Sequence, residues 1–427
     1  MLDSVRTLLS LVIATFFLLG CGEDDPADDA GGGGADASVQ DGGGDVDAGP
    51  GMMSTMRPSK RSDIGGVADP TSGTIVTFGG DDGPIIGQRP MPRFLDDTWI
   101  YEPGFGWTEV VTDPHPSARG RYGATYDPNG RRMLLFGGRF RVEGGSGDYT
   151  LNNELWAFSF ETQTWEMLHD GAGTAPGARY SPALAYDAAT DTLYVAGGGL
   201  NANALRPEPA ADLWSFDGTT WTEIPTSGDA PSSRLFEAWA HDPSRGSLIS
   251  FGGQVGDFFS PAFSDMHALD LATGTWTQLD TGTGPEGRFN AMLEYDADND
   301  RYLMFGGHAD PGVTNDLWAW DATAGSWAEL GAGDEFTGGG LGCLGNPQEI
   351  PEDYVTQDLA APERRQGGVL RVMNGRLWLF AGESDCSDHL DDTWSFDLST
   401  DAWMEHVEAR SGETCARQGD DCMCLCL

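Results

Sequence analysis

Residues 116–165 read PSARGRYGATYDPNGRRMLLFGGRFRVEGGSGDYTLNNELWAFSFETQTW, and this stretch decides the fold. It opens with Pro116-x-x-Arg119. A short strand of small and apolar residues follows, Gly123-Ala124-Thr125-Tyr126. Asp127-Pro128-Asn129-Gly130 then supplies residue types that set the backbone angles of a tight turn. A second strand ends in Phe136-Gly137-Gly138. A long loop leads to a third strand with Glu154-Leu155-Trp156, and a fourth strand opens at Trp165.

The unit occurs six times. Pro-x-x-Arg recurs as Pro58 to Arg61, Pro116 to Arg119, Pro176 to Arg179, Pro231 to Arg234, Pro285 to Arg288 and Pro362 to Arg365. The double glycine recurs at Gly79, Gly137, Gly197, Gly252 and Gly306, with Ala381-Gly382 as the one departure. The third strand carries an acid and usually a Trp: Asp97, Glu154, Asp212, Asp316 and Asp392, with Asp265-Met266-His267 in unit four. The fourth strand carries Trp107, Trp165, Trp221, Trp276, Trp327 or Trp403. Four short strands at a period near 55 residues describe propeller blades. A double Gly after an apolar strand, with two spaced Trp behind it, resembles the kelch repeat. The resemblance runs from Pro58 to about Val407 and implies an all-β fold, a six-bladed kelch-type β-propeller of four-stranded antiparallel blades. Repeat positions take 11 of the 14 Trp, so packing between blades accounts for them. Each unit is complete, with no spare strand at either end, so closure is expected to rest on packing of blade one against blade six.

Outside the repeats the chain carries an address. Arg6 precedes an apolar run from Thr7 to Leu19 that ends in Leu18-Leu19-Gly20-Cys21. The run has the length of a signal-peptide core and is short for a bilayer span. Its end resembles the bacterial lipobox, which implies cleavage before Cys21 and lipid on its thiol. Gly22 in place of Asp points away from inner-membrane retention. The expected location is the bacterial cell envelope, lipid-anchored, most simply at the outer membrane. Residues 22–54 hold mostly Asp, Gly and Ala and cannot bury enough surface to order themselves. About 33 such residues reach ~30 Å. The organisation expected is therefore signal peptide 1–20, lipidated tether 21–54, propeller 55–410 with an insertion at 331–361, and a Cys-rich tail 411–427. A net charge of −43, with Lys60 the only lysine, argues against nucleic acid and anionic membrane surfaces as partners.

Strand alternation puts the Pro-x-x-Arg segments and the long loops after each double Gly on one face of the disc, and short turns on the other. Long loops on a rigid scaffold are the usual seat of binding. Arg61, Arg119, Arg179, Arg234, Arg288 and Arg365 then have two readings. They hold a carboxylate or phosphate at the pore mouth in bidentate pairs, or each pairs with the acid of its own blade. Recurrence of both partners in step favours the second. Asymmetric loop residues are the other candidates: Arg89, Arg93, Arg139, Arg141, Tyr149, Arg206, Phe258, Phe259, His308 and His389.

Removing Cys21 leaves six cysteines in an exported chain, for which disulfides are the default. Cys343 and Cys386 fall on one face of blade six and are expected to pair. Cys415, Cys422, Cys424 and Cys426 form a tail cluster, read as two disulfides with a thiolate metal site as the alternative. No His-Glu-x-x-His, phosphate loop or nucleophile elbow occurs, and no cofactor, metal or catalytic residue is expected. Two functions follow. One is a monomeric envelope module that binds a protein or glycan through its long-loop face. The other resembles bacterial kelch propellers that mutarotate sialic acid, with Arg119, Arg179, Arg234 and Arg288 as the anion clamp.

Overall fold

The computed structural model describes residues 56–408, except 84, 87, 88, 91, 144, 146, 204–207, 256–260, 311, 335–359 and 385–388. The described residues form six antiparallel four-stranded blades and contain no helix. Blade one is Gly65–Asp69, Thr74–Asp81, Phe94–Glu102 and Gly106–Val110, paired in that order from the axis outward. The innermost strands of the other blades are Gly123–Asp127, Ala183–Asp187, Ala238–Asp242, Met292–Asp296 and Val369–Met373. Ser227–Gly228 adds a short parallel pairing to the outer edge of blade four. The six innermost strands touch in a closed circle, with Val369–Met373 against Gly65–Asp69 at the seam.

Local chemistry explains the units. Five innermost strands end in Asp, and in the first four blades its carboxylate accepts backbone N–H groups of the turn; Asp127 Oδ1 takes Asn129 N and Gly130 N at 2.9 Å each. Side-chain capping of this kind closes the turn in place of a backbone partner. The double glycines sit in the left-handed region, and a Cβ at Gly137 would stand 2.7 Å from Arg179 O. Ala381 takes the same conformation (φ 59°) in blade six, which costs about 1 kcal/mol for a residue with a Cβ.

The core is six wedges, one between each pair of neighbouring blades. The fourth-strand Trp of each blade enters the wedge shared with the preceding blade. Trp165 lies 5.2 Å from Phe78, Trp221 lies 5.5 Å from Phe136, and Trp107 lies 4.3 Å from Phe380 across the seam. Closure therefore rests on packing of blade one against blade six, as the complete units implied.

Candidate functional site

The six arginines of the repeat are buried and belong to the frame. Arg61 donates to both oxygens of Asp97 at 2.7 and 2.9 Å, to Gly79 O at 2.8 Å, and to Ser59 O and Oγ at 3.0 and 2.9 Å. All five donors of that guanidinium are satisfied. Arg119 pairs with Glu154, Arg179 with Asp212, Arg234 with Asp265, Arg288 with Asp316 and Arg365 with Asp392. In five blades the Trp two residues after the acid donates its indole N–H to the same carboxylate, as Trp99 does to Asp97 at 2.7 Å. Blade four differs: His267 is buried beside Trp276, and its Nδ1 stands 3.9 Å from Asp265. A β-bulge in the third strand precedes this Trp or His in blades two, four, five and six. The arginine backbones clip neighbouring blades together. Arg119, Arg179, Arg288 and Arg365 each accept from the second glycine of the blade before, and Arg61 O accepts from Gly382 N at 2.9 Å to close the circle. The geometry corresponds to the ion-pair reading, and an anion clamp of Arg119, Arg179, Arg234 and Arg288 would have to break four such pairs.

Two residues beyond each arginine lies a position the sequence reading passed over. Its occupants are Asp63, Arg121, Ser181, Phe236, Asn290 and Gly367, all in the left-handed region. Backbone bonds link them around the pore: Arg121 N to Asp63 O at 2.8 Å, Asn290 N to Phe236 O at 2.9 Å and Gly367 N to Asn290 O at 3.1 Å. Arg121 crosses the axis. Its Nε donates to Asp63 Oδ2 at 2.7 Å and its Nη1 to Asn290 Oδ1 at 3.1 Å, and its guanidinium lies 4.6 Å from the centre of the Phe236 ring. Blades two and five face each other in a six-bladed circle, so this side chain bars the pore on the loop face.

Charge is concentrated around that bar. Burial alone would raise the Asp63 carboxyl, but Arg121 and Arg139 outweigh it and hold it below the usual range. Burial, and after it the Asp63 charge, push Asp81 up; burial pushes Glu383 up against the opposing charge of His389. Burial also pushes Glu237, next to Phe236, up to about 8, with Arg234 opposing and Asp265 adding.

Outside the ring, Tyr149 is flanked by two guanidiniums, with Arg139 and Arg141 each 4.3 Å from its ring centre. Arg139 donates to Asp63 at 3.1 Å and Arg141 to Gly147 O at 3.1 Å. Their remaining donors have no acceptor among the described residues.

A family model described as the KLHDC2/KLHL20/DRC7 Kelch-repeats domain matches residues 51–240 and 187–338. The chain belongs to the kelch-repeat family. Kelch domain-containing protein 2 of Bos taurus is 24% identical over 315 residues, covering 68% of this chain and 69% of that protein. The Leucine-zipper-like transcriptional regulator 1 homolog of Drosophila melanogaster is 24% identical over 341 residues, 76% of this chain but 30% of that protein. The N-(sulfonatooxy)prop-2-enimidothioate sulfolyase of Thlaspi arvense is 26% identical over 236 residues, 52% of this chain and 57% of that protein. This chain thus spans only part of some relatives. Among solved structures, YjhT superposes with a TM-score of 0.55 at 13% identity, covering 82% of this chain and 99% of that one, a likeness of fold alone.

The kelch frame distributes the other sequence candidates unevenly. Arg139 reaches the ring through Asp63, while His308 stacks on Phe289 at 4.7 Å and is pushed down by burial. His389 is buried and its Nε2 lies 3.0 Å from Gly83 O, a tie between blades six and one rather than an open contact. Arg93 is held by Asp82 at 2.6 Å. Arg206, Phe258, Phe259, Cys343 and Cys386 lie outside the described residues, as do Cys21 and the four tail cysteines; the side chain of Arg89 does too. The ring residues were missed because they share no chemistry. Their signal is positional: always two after the repeated Arg, and different in every blade.

Proposed function

We propose that this kelch propeller is a binding module that takes an acidic protein segment on its loop face, displayed from the cell envelope by lipid on Cys21. The observation that carries the reading is the Arg139–Tyr149–Arg141 stack. Its guanidiniums carry Nη donors with no acceptor among the described residues beside an aromatic ring, whereas each repeated arginine is committed to the acid of its own blade. Carboxylates match such donors. The strong overall negative charge gives no long-range help, so binding depends on contacts within about 8 Å at physiological salt.

Biolayer interferometry with an immobilised Glu/Asp-rich peptide tests this. A saturable response is expected, and Arg139→Ala with Arg141→Ala should weaken it at least tenfold, since a hydrogen bond to a charged group is worth about 1.5–3 kcal/mol. An acidic polysaccharide binding in place of the peptide would make the partner a glycan. No response to either would remove the loop-face reading. The anchor has its own test. Expressed in a bacterium, the native chain should partition into detergent and carry acyl mass on Cys21, and Cys21→Ser should leave it in the aqueous phase. Equal partition of both would remove the lipid.

A further inference from the structure

The axis of the propeller holds a cavity of about 480 Å³, a size that suits small ligands. Exposed Pro70, Pro128, Ala188, Pro243 and Ala297 form its rim, so it opens on the face of short turns. At its other end the lining stops at Tyr122 and Pro182, next to the ring barred by Arg121. The sequence placed binding on the long-loop face; the cavity admits a molecule from the opposite one.

The wall mixes apolar and aromatic side chains, Ala124, Leu184 and Trp239 among them, with polar groups such as Thr125 and His241. One level carries an acid and a base. The middle residue of the innermost strand is Val67, Thr125, Ala185 and Ala240 in blades one to four, then Glu294 and Arg371 in blades five and six. Arg371 is fixed on one side. Its Nε donates to Gly66 O at 2.7 Å, and its Nη1 donates to Leu370 O at 2.6 Å and Glu294 Oε2 at 3.1 Å. Its Nη2 has no acceptor among the described residues and is not sealed from the cavity.

No second cation is needed at the rim, because Asp69, Asp127, Asp242 and Asp296 there are already held by Arg131, Arg132, Arg245 and Arg301. Along the wall, burial pushes Glu294 up, against Arg371, and pushes His241 down to about 4, so that His241 is neutral at neutral pH. Arg371 is the one guanidinium among the lining residues. One guanidinium with Nη1 on Glu294 and Nη2 uncommitted suits one negative charge. A doubly charged phosphate would meet Glu294 with nothing to offset its second charge.

We infer that the channel binds a small organic monocarboxylate entering from the turn face, its carboxylate on Arg371 Nη2 and its body against the apolar and aromatic side chains of the wall. Calorimetric titration of the full chain with sodium benzoate tests this, paired with benzamide, which keeps the ring and loses the charge. One saturable site is expected for benzoate, with benzamide at least tenfold weaker. Arg371→Met should lose benzoate at least tenfold. Arg371 also holds Gly66, so if that variant does not fold, the benzoate–benzamide comparison on the native chain decides alone. Absence of saturable benzoate binding overturns the inference. So does equal affinity for benzamide, tighter binding of inorganic phosphate, or undiminished binding by a folded Arg371→Met.

Discussion

Asp392→Ala should lower the unfolding free energy by about 4 kcal/mol, one of the two largest effects we expect in this protein. Arg365 and Asp392 both have fully buried side chains, joined at 2.6 and 2.7 Å. Removing the carboxylate strands a guanidinium that water cannot reach, and also takes the acceptor from the Trp394 indole at 2.9 Å. The companion change Asp97→Ala removes the same group in blade one. There the carboxylate is 22% exposed, so water replaces part of what is lost, and about 1–2 kcal/mol is expected. Urea denaturation of both variants measures the difference. Equal losses would mean that exposure of the acid does not set the cost; a loss below 1 kcal/mol for Asp392→Ala would mean that this ion pair does not hold the blade, and the arginines would return as candidates for a ligand.

Trp107→Ala should cost about 3–5 kcal/mol, with a consequence specific to the seam. Trp107 is 1% exposed, packs on Phe380 at 4.3 Å and donates its indole N–H to Thr393 Oγ1 at 3.0 Å. Trp165→Ala removes an equally buried ring between blades one and two, where Phe78 and Thr98 play the same parts. The two wedges differ in one respect. Blades one and two are also joined by the chain, whereas blades six and one are held without it, by packing and by bonds such as Gly382 N to Arg61 O, Arg61 N to Leu390 O, Arg371 Nε to Gly66 O and His389 to Gly83 O. Amide exchange in Gly65–Asp69 and Val369–Met373 should therefore quicken more in Trp107→Ala than exchange at the blade one–two wedge does in Trp165→Ala. Matching profiles would show that the seam is no weaker than the other wedges.

The fold was legible because each blade repeats the chemistry that makes it. Pro-x-x-Arg, the double glycine, the acid and the last Trp recur at fixed offsets, and six copies in step leave one architecture. The pairing of Arg61 with Asp97, 36 residues on, was likewise open to inference from recurrence. What differs between blades was harder to read, because a repeat shows only what is shared. Asp63, Arg121, Ser181, Phe236, Asn290 and Gly367 have no common side chain, only a common left-handed backbone.

By itself, then, the sequence determined the number of blades, the strands within each, the face that carries the long loops and the residues that fill the wedges. All of these follow from periods inside one unit. Closure of the circle decided the rest. It brings Arg121 to Asn290, 169 residues away, and bars the pore on the loop face. It brings Arg371 Nε to Gly66 O, 305 residues away, while packing of blade six on blade five sets Glu294 beside the same guanidinium, in a channel that opens on the other face. Along a single strand each of these is an ordinary polar residue; only the packing of blade on blade around one axis makes neighbours of them.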